Sequence, residues 1–458
     1  MLCTAAVFLF FPGLIRVLFY ENISGGTTNY KDIMLASRIF SGDFSNYAIE
    51  KSALINPYYI FLNFLLRFLN PLFLMNFLSP IFGFLFIIVL HALLKRVGVE
   101  KESLFAAMLM LILSAPFIYN FTIINENSFV LFFLALGMLL FLAENKISSV
   151  LGLLILIIIS FGNLIASIVS YSLLILFLIH RSSIFAYRTE KRKRIIFTIS
   201  SIFLILMLLN IYLTKWNIIN ENKGILTYFS EITMSNGFNT IILILALIGF
   251  LTIGNERKLL KNVFWIALLL FIVFGSNFIV YANIVFCISA AYGFVWVTER
   301  KWELKKLKYW SILLIVCGIF FIAMSIDLKI ANQRPDSSDI DALNALKELK
   351  EGFVLSHQNY GFWIEYFSNK KSFINNLNIN LIKDEASLLF YSYNLSLSYN
   401  LIKEYNIRYV FITPEMKTGL VWNKDDEGLL FLMKNSNRFK NLYKKNNYEI
   451  WEVLDEQG

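Results

Sequence analysis

Val354 to Phe367, VLSHQNYGFWIEYF, reads as a short strand, a turn at Asn359-Tyr360-Gly361 and the first turns of an aromatic helix. Gly361 is the residue suited to left-handed backbone in that turn. The stretch therefore presents His357, Gln358 and Asn359 at a strand-to-helix corner. The same alternation runs outward from it. Upstream, the chain changes character at Pro335, and Asp336-Ser337-Ser338-Asp339 caps a helix running to about Lys350. Downstream, Asp384 to Tyr391 and Leu395 to Tyr405 read as helices and Ile407 to Thr413 as a buried strand. A helix near Asp425 to Lys434 and an alternating strand from Tyr448 to Leu454 close the chain. Strands alternating with helices make residues 327–458 a small α/β domain.

The chain before this domain is of another kind. Over all 458 residues the sequence is 57% hydrophobic, 16% aromatic and only 16% charged, too apolar for an ordinary soluble protein. Apolar runs recur near the length of about 20 residues that crosses a bilayer. They fall near 2–20, 72–94, 103–119, 127–143, 148–162, 164–180, 195–213, 237–254, 263–275, 278–298 and 309–326, which predicts a polytopic α-helical membrane domain, residues 1–326, of about eleven spans. The long run 147–180 counts as two spans, because Gly162-Asn163 interrupts it. Cys3, Cys287 and Cys317 all lie within apolar runs without metal-ligand spacing, and read as small hydrophobes. The run Leu2 to Tyr20 has no basic leader and reads as a retained span.

Charge gives the orientation. The loops that this count puts on one side, 95–103, 144–147, 181–194, 255–262 and 299–308, hold 18 Lys or Arg; the longer loops 21–55 and 214–236 on the other side hold 3 and 2. By the positive-inside rule the N-terminus is cytoplasmic and residues 327–458 are extracytoplasmic. The net charge of +9 comes from the membrane part and marks orientation, so nucleic acid is not an expected partner. The three glycosylation triplets, at Asn22, Asn120 and Asn394, fall on the expected outer side. On that side too, the amphipathic segment Tyr30 to Phe40 and the run Asn56 to Asn70 read as helices lying along the surface.

An outer first loop, a surface helix beginning Asn56-Pro57-Tyr58-Tyr59, many further spans and a terminal extracytoplasmic α/β domain together resemble the GT-C class of membrane glycosyltransferases, which transfer a sugar from a polyprenyl-phosphate lipid. VLSHQNYGFWIEYF resembles the V-x-S-W-W-D-Y-G-Y-W-I stretch of oligosaccharyltransferase catalytic subunits, and LIKEYNIRYVFIT and YEIWEVL resemble that domain's closing strands. The resemblance implies a membrane glycosyltransferase that moves a sugar from a polyprenyl-phosphate-linked donor to an extracytoplasmic protein or glycan acceptor.

It also implies where the chemistry sits. The corner His357, Gln358, Asn359 and Tyr360 takes the place where relatives hold the acceptor, with His-Gln-Asn standing for Trp-Trp-Asp. A carboxylate is expected in the first outer loop, to take a proton beside the sugar C1 as phosphate leaves. The family spacing back from Gly42 lands on Thr27 or Thr28, and the nearest acid is Asp32, about one helical turn on. Glu126, at the start of the fourth span, is the second candidate acid, to position acceptor or metal. The family's Arg-Phe or Arg-Tyr before a late span is Asn277-Phe278 here. The cation for the donor phosphate is therefore expected from Lys31, Arg38, Lys215 or Lys223. A divalent cation is the cofactor the resemblance leaves room for. With acid, cation and acceptor motif all altered, the alternative is a catalytically silent relative that acts as a binding or scaffold membrane protein.

Overall fold

The computed structural model describes residues 1–19, 24–41, 54–184, 189–214, 237–254, 258–376, 378, 382–424 and 426–454. Backbone contacts divide the chain into two compact units. The first is Met1–Ser24 with Leu35–Asn332; the second is Gly25–Met34 with Gln333–Gly458.

The first unit is a helical bundle, and the chain is an integral membrane protein by the length and apolarity of its helices. Leu2–Phe19, Pro71–Val97, Ile279–Glu299 and Lys305–Ala331 are each long and apolar enough to cross a bilayer. Seven shorter apolar helices accompany them among the described residues. The expected straight span 103–119 is instead two helices, Lys101–Ile112 and Ala115–Thr122, bent by 60°. Pro116 explains the break, since it has no N–H to donate to the Ile112 carbonyl and its ring would clash there, while it fits the first turn of the new helix that Ser114, extended, begins. The freed polar groups are taken up locally: the Ser114 hydroxyl donates to the Leu111 carbonyl at 2.7 Å and accepts from the Asn283 amide at 2.7 Å. Of the cysteines, Cys287 is buried, but Cys3 is exposed on the first helix.

Small residues let these helices approach closely, the usual packing device where lipid removes the hydrophobic drive between spans. A Cβ at Gly249 or Gly293 would collide with the Ser289 or Leu245 carbonyl of the facing helix. The Ser289 hydroxyl donates across the same contact to the Ala246 carbonyl at 2.8 Å. The long run 147–180 breaks between Lys146–Ile159 and Leu164–Ile184, and Gly162 there takes φ +74°. Its backbone N–H donates to Asn210 Oδ1 at 2.9 Å.

The second unit carries a four-stranded sheet in the order β1 (Phe353–Leu355), β2 (Ile407–Ile412), β4 (Tyr448–Val453), β3 (Phe439–Lys445). β1 and β2 are parallel, with Leu355 beside Val410; β4 runs antiparallel to both β2 and β3. β2 is central and, apart from Arg408, wholly buried, which is why Tyr409 to Ile412 reads as an apolar run. β3 lies at the edge. The hairpin joining it to β4 turns through Asn446 and Asn447, both at positive φ. The Asp336 cap forms as expected, a reciprocal box in which Asp336 accepts from the Asp339 N–H at 3.0 Å and Asp339 accepts from the Asp336 N–H at 2.9 Å.

At the corner the turn differs from expectation. Gln358–Tyr360 is one turn of 3₁₀ helix and Gly361 is right-handed, φ −54°. Glycine is needed there for space instead: a Cβ would lie 2.5 Å from the Ile374 carbonyl oxygen and 2.6 Å from Asn375 Cβ.

Candidate functional site

In the second unit the corner is built from β1 and the helix Gly361–Ser368. His357 has extended backbone, and its Nδ1 accepts from the Asn359 N–H at 3.3 Å, which places the ring proton on Nε2. Burial holds the imidazole below its ordinary pKa, so the neutral ring that can make this bond is favoured. Gln358 is half-buried and Asn359 exposed, while Tyr360 is buried beneath them. The Tyr360 hydroxyl donates to Glu415 Oε2 at 3.0 Å, and Glu415 is paired with Arg334. Arg334 also lies 3.7 Å from Asp339, which accepts from the Tyr448 hydroxyl at 2.6 Å. Burial raises the pKa of Tyr360 and of Tyr448, and raises that of Asp339 despite the Tyr448 and Arg334 contacts that oppose it. This network braces the corner from behind. Sequence reading missed Arg334, Glu415 and Tyr448. Their positions lie far apart in the chain, and only the fold joins them.

The same unit takes in Gly25–Met34, which carries Lys31 and Asp32. The Gly26 N–H donates to the Arg334 carbonyl at 2.6 Å, and the Trp363 indole N–H donates to the Gly26 carbonyl at 3.4 Å. Tyr30 is fully buried, with its ring 5.0 Å from that of Tyr366 and 5.2 Å from that of Phe367. Trp363 in turn meets the Tyr360 ring at 5.4 Å. The first turn of helix Thr27–Ser41 is thus seated on the aromatic helix that follows the corner. On it Asp32 is buried, 1% exposed, with Lys31 Nζ 3.5 Å from its Oδ1. Arg38 lies half-buried two turns further along this helix. Lys215 and Lys223 lie outside the described residues.

Glu126 is in the first unit, at the first position of helix Glu126–Phe141. Its Oε1 accepts from the Asn56 amide at 2.9 Å and from the Asn163 amide at 2.5 Å. Each of those asparagines also receives a backbone N–H at the start of its own helix: Asn56 Oδ1 from Tyr58, Asn163 Oδ1 from Ala166. Asn125 does the same for Ser128 in the helix of Glu126. Three helix N-termini therefore meet at one carboxylate, where their partial positive charge favours an acid.

The first unit also encloses an apolar groove, lined by Leu131, Leu134, Val169, Leu173, Leu270 and Tyr281 among others. Among the described residues no group of three or more His, Cys, Asp or Glu side chains comes together.

No protein-family model and no curated protein matches the sequence. Solved structures do. The apo crystal structure of the Archaeoglobus fulgidus oligosaccharyltransferase is similar with a TM-score of 0.63 at 14% identity, over 96% of this chain and 72% of that one. The fold is that of the GT-C glycosyltransferases. The archaeal oligosaccharyltransferase AglB from Archaeoglobus fulgidus, in complex with an inhibitory peptide and a dolichol-phosphate, gives 0.60 at 13% identity over 97% of this chain and 74% of that one. Mycobacterial arabinofuranosyltransferase AftD gives 0.60 at 11% identity, covering 100% of this chain and 40% of its own. By name these structures transfer different sugars, so the likeness fixes the fold alone.

Proposed function

We propose that the chain is a membrane glycosyltransferase that moves a sugar from a polyprenyl-phosphate donor to an extracytoplasmic acceptor. The observation that carries this reading is Asp32: a buried carboxylate beside a lysine, on a helix whose first turn packs against the corner helix in one compact unit. Support also comes from the GT-C fold and from a solved relative that holds a dolichol-phosphate.

In the proposed reaction an acceptor hydroxyl or amide attacks the sugar C1 and the C1–O bond to phosphate breaks, its electron pair leaving with the phosphate. Asp32 takes the proton from the attacking group. Lys31, with Arg38 further along the helix, offsets the charge that grows on the departing phosphate. The corner His357, Gln358, Asn359 and Tyr360 binds the acceptor. Its exposed side is neutral and polar: the imidazole Nε2–H donates, and the two amides both donate and accept. The apolar groove of the first unit is of the kind that takes isoprene units. Glu126 takes no proton in this scheme. The N-terminus is cytoplasmic and residues 327–458 are outside.

The test is transfer from a radiolabelled polyprenyl-phosphate sugar by the purified chain. Transfer that requires Asp32 supports the reading. Absence of transfer with every donor tried would favour a catalytically silent GT-C relative that keeps the corner for binding a partner. Protease added to sealed right-side-out cells should remove the C-terminal domain, and its protection would overturn the orientation.

A further inference from the structure

We propose that Glu126 is a positioning residue, a clasp that fixes the spacing of two helices at the end of the apolar groove and so sets its fit for the donor chain. The groove runs between helices Glu126–Phe141 and Leu164–Ile184, which contribute Leu131, Leu134, Val169 and Leu173 to its walls. Glu126 lies five residues before Leu131, and Asn163 six before Val169. At a rise of about 1.5 Å per residue, both stand roughly 8 to 9 Å beyond the first lining side chains of their helices. The Asn163 amide bonded to Glu126 Oε1 therefore ties the two walls together just past the groove's end. The second amide on the same oxygen, from Asn56, brings in helix Pro57–Leu66.

The third tie is the chain between the walls. Gly162 stands at φ +74° with Asn56 packed where its Cβ would be, and Asn210 holds the same turn by accepting from the Gly162 N–H and donating to the Ser160 carbonyl at 2.8 Å. The wall Leu164–Ile184 thus begins from a fixed turn that the carboxylate bond links to the facing wall's first residue. Two amide donors converging on one oxygen, each asparagine with its own oxygen already engaged in capping, is an arrangement that works through shape. A glutamine keeps an acceptor oxygen at that place; an alanine keeps none.

This inference rests on the donor reading, and the experiment separates the two. Saturable binding of a fluorescent polyprenyl phosphate is measured with the full-length chain in nanodiscs, for the wild type, Glu126→Ala, Glu126→Gln and Asn163→Ser, alongside donor KM and kcat where transfer is seen. Glu126→Ala should weaken binding about tenfold or more, as loss of two charge-assisted hydrogen bonds implies, and should raise KM with kcat little changed. Glu126→Gln should restore affinity to within about fivefold of wild type, losing only the charge on the helix ends. Asn163→Ser keeps a capping oxygen but not the amide, and should weaken binding in the direction of Glu126→Ala; it also serves if the alanine variant does not fold. Binding left unchanged by Glu126→Ala and Asn163→Ser, or a Glu126→Gln variant whose kcat collapses, overturns the clasp alone. No saturable binding to the wild type overturns the donor reading and the clasp with it.

Discussion

Each of the two units carries a candidate carboxylate, Asp32 buried and Glu126 half-buried, and the two are held differently. Glu126 receives two side-chain amides on one oxygen, at the meeting of three helix starts. Asp32 faces a lysine at 3.5 Å on a helix turn seated against aromatic rings. A carboxylate bonded by two fixed amides is placed to order helices, whereas a buried one beside a cation, on the unit proposed to bind the acceptor, has the setting that proton transfer asks for.

The sharpest way to break this contrast is at Asp32. Asp32→Asn keeps the shape and removes the base, so turnover should fall by roughly 10² to 10⁴, with the unfolding temperature nearly unchanged. The brace behind the corner is next in size. Gly361→Ala drives a methyl against the Ile374 carbonyl and Asn375 and should cost about 1–3 kcal/mol by overpacking, seen as a lowered melting temperature of the C-terminal domain. Tyr360→Phe removes only the hydroxyl that donates to Glu415, which stays paired with Arg334; about 1 kcal/mol is expected.

The smallest effect is that of pH on the corner. The His357 pKa in the folded chain lies below its ordinary value because of burial, so the unfolded chain binds the extra proton first. Its contribution is complete above the ordinary histidine range and declines as pH falls through that range toward the lowered value. Melting temperature followed from pH 8 to 5 should therefore drop slightly more in the wild type than in His357→Gln. An equal drop would show that burial does not lower the His357 pKa.

What the sequence disclosed and what it hid divide along physical lines. Local patterns were legible: the Asp336 box, the strand Ile407–Ile412 and the interruption at Gly162-Asn163 each carry their signal within a few residues. The edge strand Phe439–Lys445 was missed because, facing solvent, it lacks strong apolar alternation; its usable sign was the Asn446-Asn447 turn after it. The bend at Ser114 was hidden in an apolar run, although Pro116 was the available cue. The turn at Gly361 was foreseen with the wrong backbone, since a glycine required by crowding looks the same in sequence as one required by positive φ. The candidate site was the least legible. The seating of Gly26 and Tyr30 on Trp363, Tyr366 and Phe367 joins residues more than 300 apart, and no local pattern announces such a contact. The burial of Asp32 on that seated helix was equally silent.

The most direct measurement sets the two acids side by side in one assay: kcat for transfer from a saturating polyprenyl-phosphate sugar by the wild type, Asp32→Asn and Glu126→Gln. The account predicts a fall of roughly 10² to 10⁴ for Asp32→Asn and a kcat close to wild type for Glu126→Gln. Transfer that survives Asp32→Asn while Glu126→Gln abolishes it would contradict the account at its centre.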